Sequence, residues 1–143
     1  MSNLKVQGNA SGTGTHTLQS ANTNSNITQT LPDVSGVTLG FLNVPQSGSD
    51  KTTSYTLALT DIGEFVGVGT SGSITIPDAT FAAGDIVSVF NNTSGNITIT
   101  CSITTAYIAG TNTDKATMTL ATRGVATVLF ISGTVCVVTG NVS

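Results

Sequence analysis

The stretch NITITCSIT, Asn96 to Thr104, decides the fold class. Ile97, Ile99, Cys101 and Ile103 fall on one side of an extended chain, and Thr98, Thr100, Ser102 and Thr104 on the other. Period two over nine residues belongs to a strand with one dry face, because successive side chains of an extended chain point to opposite sides. Outward from it, from Tyr55 to the end, similar runs recur at the short regular spacing of a sandwich or barrel. Strands are predicted near Tyr55 to Leu59, Glu64 to Val68, Ser73 to Ile76, Ile86 to Asn91, Asn96 to Ile103, Ala116 to Ala121, Val125 to Ser132 and Thr134 to Thr139. The turn residues of NNTSGN between Phe90 and Ile97, and Ser132-Gly133 between two apolar runs, predict hairpins. No window has helical periodicity; Ala79 to Gly84 has room for one helical turn.

The first 50 residues read differently. GNASGTGT (Gly8 to Thr15) and SANTNSN (Ser20 to Asn26) are dense in turn formers, and the strand-like pieces His16 to Gln19, Ile27 to Leu31 and Val37 to Val44 carry little apolar surface. Ordering them costs more entropy than their own burial returns, so this part is expected to order only against a neighbour. GFLNVPQSGSDKTTS, Gly40 to Ser54, reads as a linker or long loop. The predicted organisation is an extended arm and linker over 1–50 and one β-sandwich domain over 51–143.

Composition narrows the function. Charged residues make up 8% of the 143, the formal net charge is −3, and the four cations Lys5, Lys51, Lys115 and Arg123 are scattered. A phosphate backbone needs a clustered basic surface, so nucleic acid is not an expected partner. No apolar run has the length of a bilayer span, and the amino terminus lacks a basic region followed by an apolar core. A soluble protein without a cleaved signal and without a membrane partner is expected. So low a net charge permits self-association.

Residues able to do chemistry are sparse. Gly67, Gly69 and Gly72 spell G-x-G-x-x-G, but they run into the strand SITI and not into the helix whose amino terminus would hold a phosphate. His16 stands alone in GTGTHTLQS. Of the carboxylates Asp33, Asp50, Asp61, Glu64, Asp78, Asp85 and Asp114, the pair Asp61 and Glu64 is the one to weigh for glycoside hydrolysis. Three residues apart in a turn, they read as acids that cap and solvate a loop; Asp78 with Asp85 is the thin alternative for calcium. Cys101 and Cys136 fall within strands, either as buried thiols or as one inter-strand disulfide. No catalytic residue, cofactor or metal is expected. ITQTLPD (Ile27 to Asp33) and ITIPD (Ile74 to Asp78) share a strand closed by Pro-Asp, which is structural punctuation.

The last hairpin breaks the alternation. Val125, Val128, Leu129, Phe130 and Ile131, then Val135, Cys136, Val137 and Val138, place apolar groups on both faces. Such a strand is central in a sandwich or pressed against another subunit. Val125, Val128, Phe130, Val135 and Val137 are the candidate subunit-contact residues.

Two long stretches carry a resemblance. VQGNASGTGTHTLQSANTNSNITQTLPDVSG, Val6 to Gly36, resembles a segment recurring in tail-fibre and other virion proteins of tailed phages, with GTGT, NTNS and a TLPD-x-SG closure in order. Asp61 to Ser143 is similar to the small β modules that end such proteins, through DIGEFV, SITIPDATFAAGDIVSVFNNTSGNITIT, AYIAGT and TLATRGVATVLFISGTVCVVTGNVS. The resemblance implies a homotrimeric, all-β structural protein of a phage virion with a jelly-roll-like sandwich, made in the host cytoplasm, and no catalytic residue. A chain of 143 residues starting at Met1 is short for a complete fibre, which favours a capsid decoration (cement) protein whose arm lies across the major capsid protein. The alternative is a short tail fibre or fibre tip that recognises a host surface glycan; a tailspike-like glycan hydrolase is the lesser one.

Overall fold

A computed structural model describes residues 43–143. The arm expected before residue 50 lies outside the described residues as far as residue 42, and so does His16. Nine strands occur among the described residues: β1 (Ser54–Thr56), β2 (Phe65–Val68), β3 (Ser73–Ile76), β4 (Ile86–Asn91), β5 (Ile97–Cys101), β6 (Thr105–Ile108), β7 (Thr117–Leu120), β8 (Val125–Ser132) and β9 (Val135–Gly140). No α-helix is present among these residues, and a 3-10 turn at Leu59–Asp61 is the one helical element. None of it is long and apolar enough to cross a membrane. The chain is all-β, as its alternation predicts.

The strands form two mixed sheets, one ordered β1-β3-β5-β7 and the other β2-β4-β8-β9-β6. Each strand turns alternate residues inward. Ile74, Ile76, Ile99, Met118 and Leu120 of the first sheet meet Val66, Val87, Val89, Val128, Phe130 and Val138 of the second in one buried core. Phe81, in the connection from β3 to β4, stacks on Phe130 with ring centroids 4.0 Å apart and planes at 15°, which closes the core at that side.

Pairing departs from the jelly-roll-like expectation. A jelly roll is built from antiparallel Greek keys. Here β1 with β3, β3 with β5, β2 with β4 and β6 with β9 are parallel, and β4 with β8, β5 with β7 and β8 with β9 antiparallel. From β1 to β5 the chain therefore coils: each strand is followed by one in the opposite sheet, and every second strand lies parallel beside its predecessor. NNTSGN is accordingly an arch between sheets and not a hairpin, since β4 and β5 belong to different sheets. The hairpin at the end of β8 is present, with Ser132 opposite Val135 after a bulge.

Buried Asn91 explains the arch. Its amide nitrogen donates to the carbonyls of Gly95 at 2.8 Å, Ala121 at 2.9 Å and Leu120 at 3.3 Å, while its oxygen accepts from the Thr93 N–H and hydroxyl. One side chain thereby fixes the crossing and ties it to the end of β7.

The segment predicted as linker is held too. Gln46 and Lys51 bridge β2 in parallel, and Lys51 N–H donates to Gly67 at 2.8 Å. That close approach accounts for the glycines: a Cβ on Gly72 would collide with the Lys51 carbonyl, and one on Gly67 with the side chains of Asp50 and Gln46. The segment also covers the outer edge of β2, as Val142 and Ser143 cover that of β7 and Asp114 and Lys115 that of β6. Covered edges do not template pairing with other chains.

Cys101 on β5 and Cys136 on β9 are free thiols. Burial first, then the Asp114 carboxylate, pushes Cys101 from 9.0 up to about 11. Burial, followed by Cys101 and Asp114, pushes Cys136 up to about 12. Both stay protonated at neutral pH, and the thiolate is the reactive form. Because the folded values lie above the unfolded one, their contribution to stability is whole below about pH 9 and lost as the pH rises through 11 to 12. Iodoacetamide at neutral pH should label both cysteines only after denaturation. Replacing both by Ala or Val should flatten the alkaline fall in unfolding midpoint; rapid labelling of the native protein would contradict this account.

Candidate subunit interface

The two outer faces of the sandwich differ in chemistry. On the four-stranded sheet the outward positions are Ser54 and Thr56, Ser73 and Thr75, Thr98 and Thr100, Thr117 and Thr119: every one carries a hydroxyl. On the five-stranded sheet they are largely apolar. Ile86, Leu129 and Ile131 are 47%, 37% and 50% exposed, and Val125 is 48% exposed. These side chains adjoin through the ladders, with Ile86 opposite Leu129, Leu129 opposite Val137, and Phe90 opposite Val125. Side chains at such opposed positions touch, so the patch is continuous across β4, β8 and β9.

Strand parity sorts the five predicted contact residues. Val125 is exposed, and Val135 and Val137 are half-buried on the same outer face. Val128 and Phe130 are fully buried, because even-numbered residues of β8 point into the core. Those two are core residues and not contact residues. Leu129 and Ile131 of the same strand and Ile86 of β4 take their place. Parity along β8 counted from Val125 marks Leu129 and Ile131; Ile86 follows only from the pairing of β4 with β8.

The strands' own outward positions on this face carry no charge: Ser88, Thr127, Thr139, Thr105 and Tyr107 complete it. At its rim Glu64 lines a shallow pocket with Ile86 and Ser88, and Asp85 directly precedes Ile86. Asp50, folded over Gly67 at the β2 edge, is occupied, accepting from Gln46 at 2.7 Å and Asn92 at 2.7 Å. Arg123 in turn donates to Asn92. This polar chain clips the 46–51 segment to the arch after β4 and to the turn before β8.

Of the acids weighed for chemistry, Glu64 stands at the rim of the patch, while Asp61, Asp78 and Asp85 hold neighbouring segments by hydrogen bonds. Asp61 does not solvate a loop. It is fully buried and accepts from Ser47 Oγ at 2.6 Å, from the Tyr55 hydroxyl at 3.1 Å and from Ala58 N–H at 2.8 Å. Burial, and next the Asp61 charge, raises the Tyr55 phenol above its ordinary value. Lys51 lies 4.4 Å over the Tyr55 ring. Asp78 binds Thr104, Asp85 binds Ala82 N–H, and Asp114 binds Ala106 N–H. Asp78 and Asp85 thus serve separate loops, and the described residues contain no cluster of three or more His, Cys, Asp or Glu able to hold a metal.

The chain matches no protein-family model, no curated protein and no solved structure.

Asp61→Ala strands the buried Ser47 hydroxyl and the half-buried Ala58 N–H, and a lost charged hydrogen-bond set of this kind costs about 3 kcal/mol. Glu64→Gln should cost less than about 0.5 kcal/mol, as surface substitutions do. Urea unfolding of the two variants checks the contrast; equal effects would remove Asp61 from its anchoring role.

Proposed function

We propose that the protein is a structural component of a phage virion, a capsid decoration (cement) protein that trimerises on the shell and stabilises it, with no enzymatic role. The observation that carries this reading is the uncharged apolar face across β4, β8 and β9. A contiguous exposed apolar patch of this kind marks an interaction surface, and three copies of it can converge on one axis with no charge at the strands' own outward positions to repel them. A second copy of the chain is the occupant we assign to it. The hydroxyl face on the opposite sheet then points to solvent and keeps a weakly charged particle hydrated. The chain before about residue 50 is the assigned anchor to the major capsid protein. Its likeness in sequence to phage tail-fibre segments, and that of Asp61 to Ser143 to small terminal β modules, supplies the virion setting.

A short fibre or fibre tip is the second reading, favoured by one feature: a hydroxyl-lined groove between the β2–β3 and β4–β5 connections. The hydrolase reading draws no support from Asp61 and Glu64: both lie in the β1–β2 connection, and Asp61 is fully buried with its carboxylate held by Ser47, Tyr55 and Ala58.

Light scattering should give about three chain masses, and Leu129→Asp, at an exposed position, should give one without unfolding the sandwich. A wild-type monomer at high concentration would end the trimer assignment. Quantified protein from purified virions separates the two readings. A decoration protein should approach the copy number of the capsid subunit, whereas a count nearer that of the tail proteins would favour the fibre.

A further inference from the structure

The groove lies between two connections on the same side of the four-stranded sheet. One wall is the turn Thr70–Ser71 with Gly72 and Ser73; the other is the arch Thr93 to Asn96, running into Ile97 and Thr98. Its volume is about 380 Å³, within the range of small-ligand sites. No lining residue is charged, and Ile97 is the one large apolar member.

Both walls are fixed before any ligand arrives. Asn91, fully buried, holds the arch from below through three carbonyls, and Thr93 spends its hydroxyl on Asn91 and Gly95. On the opposite wall Gly72 is packed against the Lys51 carbonyl, and its N–H donates to Gly69 at 3.0 Å. A preformed site avoids the cost of ordering loops on binding.

What the walls present is hydroxyl and amide. Thr70, Ser71, Ser73, Ser94 and Thr98 each offer a group that donates and accepts, and the Asn96 side chain, whose oxygen takes the Thr122 N–H, keeps its amide nitrogen for a ligand. A side chain on Gly95 would meet nothing within 4 Å, so the arch backbone is also open to approach. Ser73 and Thr98 are at once groove residues and outward positions of adjacent strands, so the groove opens onto the hydroxyl rows continued by Thr75 and Thr100, which lie opposite each other.

We propose that this groove binds a neutral saccharide chain, which enters between the two connections and continues along β3 and β5. Anions find no cation there, and an apolar ligand would strand the hydroxyls; a neutral polyol matches both the lack of charge and the mixed donors and acceptors. With no aromatic platform each site is weak, with a Kd on the order of 1 mM, and useful binding requires many copies on one particle. The inference deepens the fibre reading, yet it concerns the purified protein and is decided independently of virion location.

The test is an NMR titration of the full chain with cellohexaose and maltohexaose as neutral probes and hexagalacturonate as the anionic one. At least one neutral probe should shift the amides of Gly72, Gly95 and Thr98, saturably. Ser73→Ala with Thr98→Val, both at solvent-facing positions, should weaken that binding about fivefold or more through the lost hydroxyls. Thr139→Val, on the other sheet, should leave it unchanged. No saturable shift with either neutral probe, a response to the anionic probe alone, or undiminished binding by the double variant would each overturn the proposal. A virion count near that of the capsid subunit would overturn the fibre reading while leaving a positive titration standing.

Discussion

Everything in the described chain depends on one constraint: two sheets share a single apolar core while successive strands fall in alternate sheets. From β1 to β8 every connection crosses over, and only β8 to β9 stays within one sheet. No part of either sheet can bury its inner face until the other is in place. Val66 and Val89 of one sheet have no dry surface without Ile74, Ile99 and Leu120 of the other. The connections therefore have to be specified as firmly as the strands. Buried Asn91 at one crossing and buried Asp61 at another perform that task with hydrogen bonds, each fully partnered, as low-dielectric surroundings require.

The same constraint explains what was legible in the residues. The strands Ser73–Ile76, Ile86–Asn91 and Val125–Ser132 follow directly from alternation and turn residues, with the predicted bounds. Strand β6 is hard to read because TAYI is short, its inward residues are the small Ala106 and, at its very end, Ile108, and no turn signal separates it from NITITCSIT. The arch after β4 reads as a hairpin in the sequence because Asn, Ser and Gly reverse a chain equally well within a sheet or between two. What distinguishes the cases is Asn91, whose partners at Leu120 and Ala121 lie 29 and 30 residues away. Parallel pairing was illegible for a related reason: alternation fixes which face of a strand is dry, not the direction of its neighbour.

The exposed apolar face was half legible for a physical reason. An apolar run such as VLFI places apolar groups on both faces of a strand, and the structure sorts them: Val128 and Phe130 fill the core while Leu129 and Ile131 stand exposed outside it. Choosing among them requires the strand's parity, and Ala126 supplies it, since a small residue buried between Val125 and Thr127 marks the inner side. Asp61 misled in the opposite sense. Next to Ile62, Gly63 and Glu64 it looks like a turn acid, and nothing local reveals that Ser47 and Tyr55 converge on it from 14 and 6 residues away.

The composition itself now has a structural meaning. With so few charges, the molecule divides its surface by chemistry: Ser and Thr over one sheet, Val, Leu and Ile over the other. Threonine is the economical choice for the first, because its branched carbon suits a pleated sheet while its hydroxyl stays hydrated. Valine and isoleucine share that branching, so exchanging hydroxyl for methyl at outward positions turns a hydroxyl face into an apolar one without disturbing the strand beneath. The two sheets have nearly the same backbone requirement and opposite surfaces. The surface chemistry of one side can therefore change without the other, because the shared core isolates each outer face from substitutions on its counterpart.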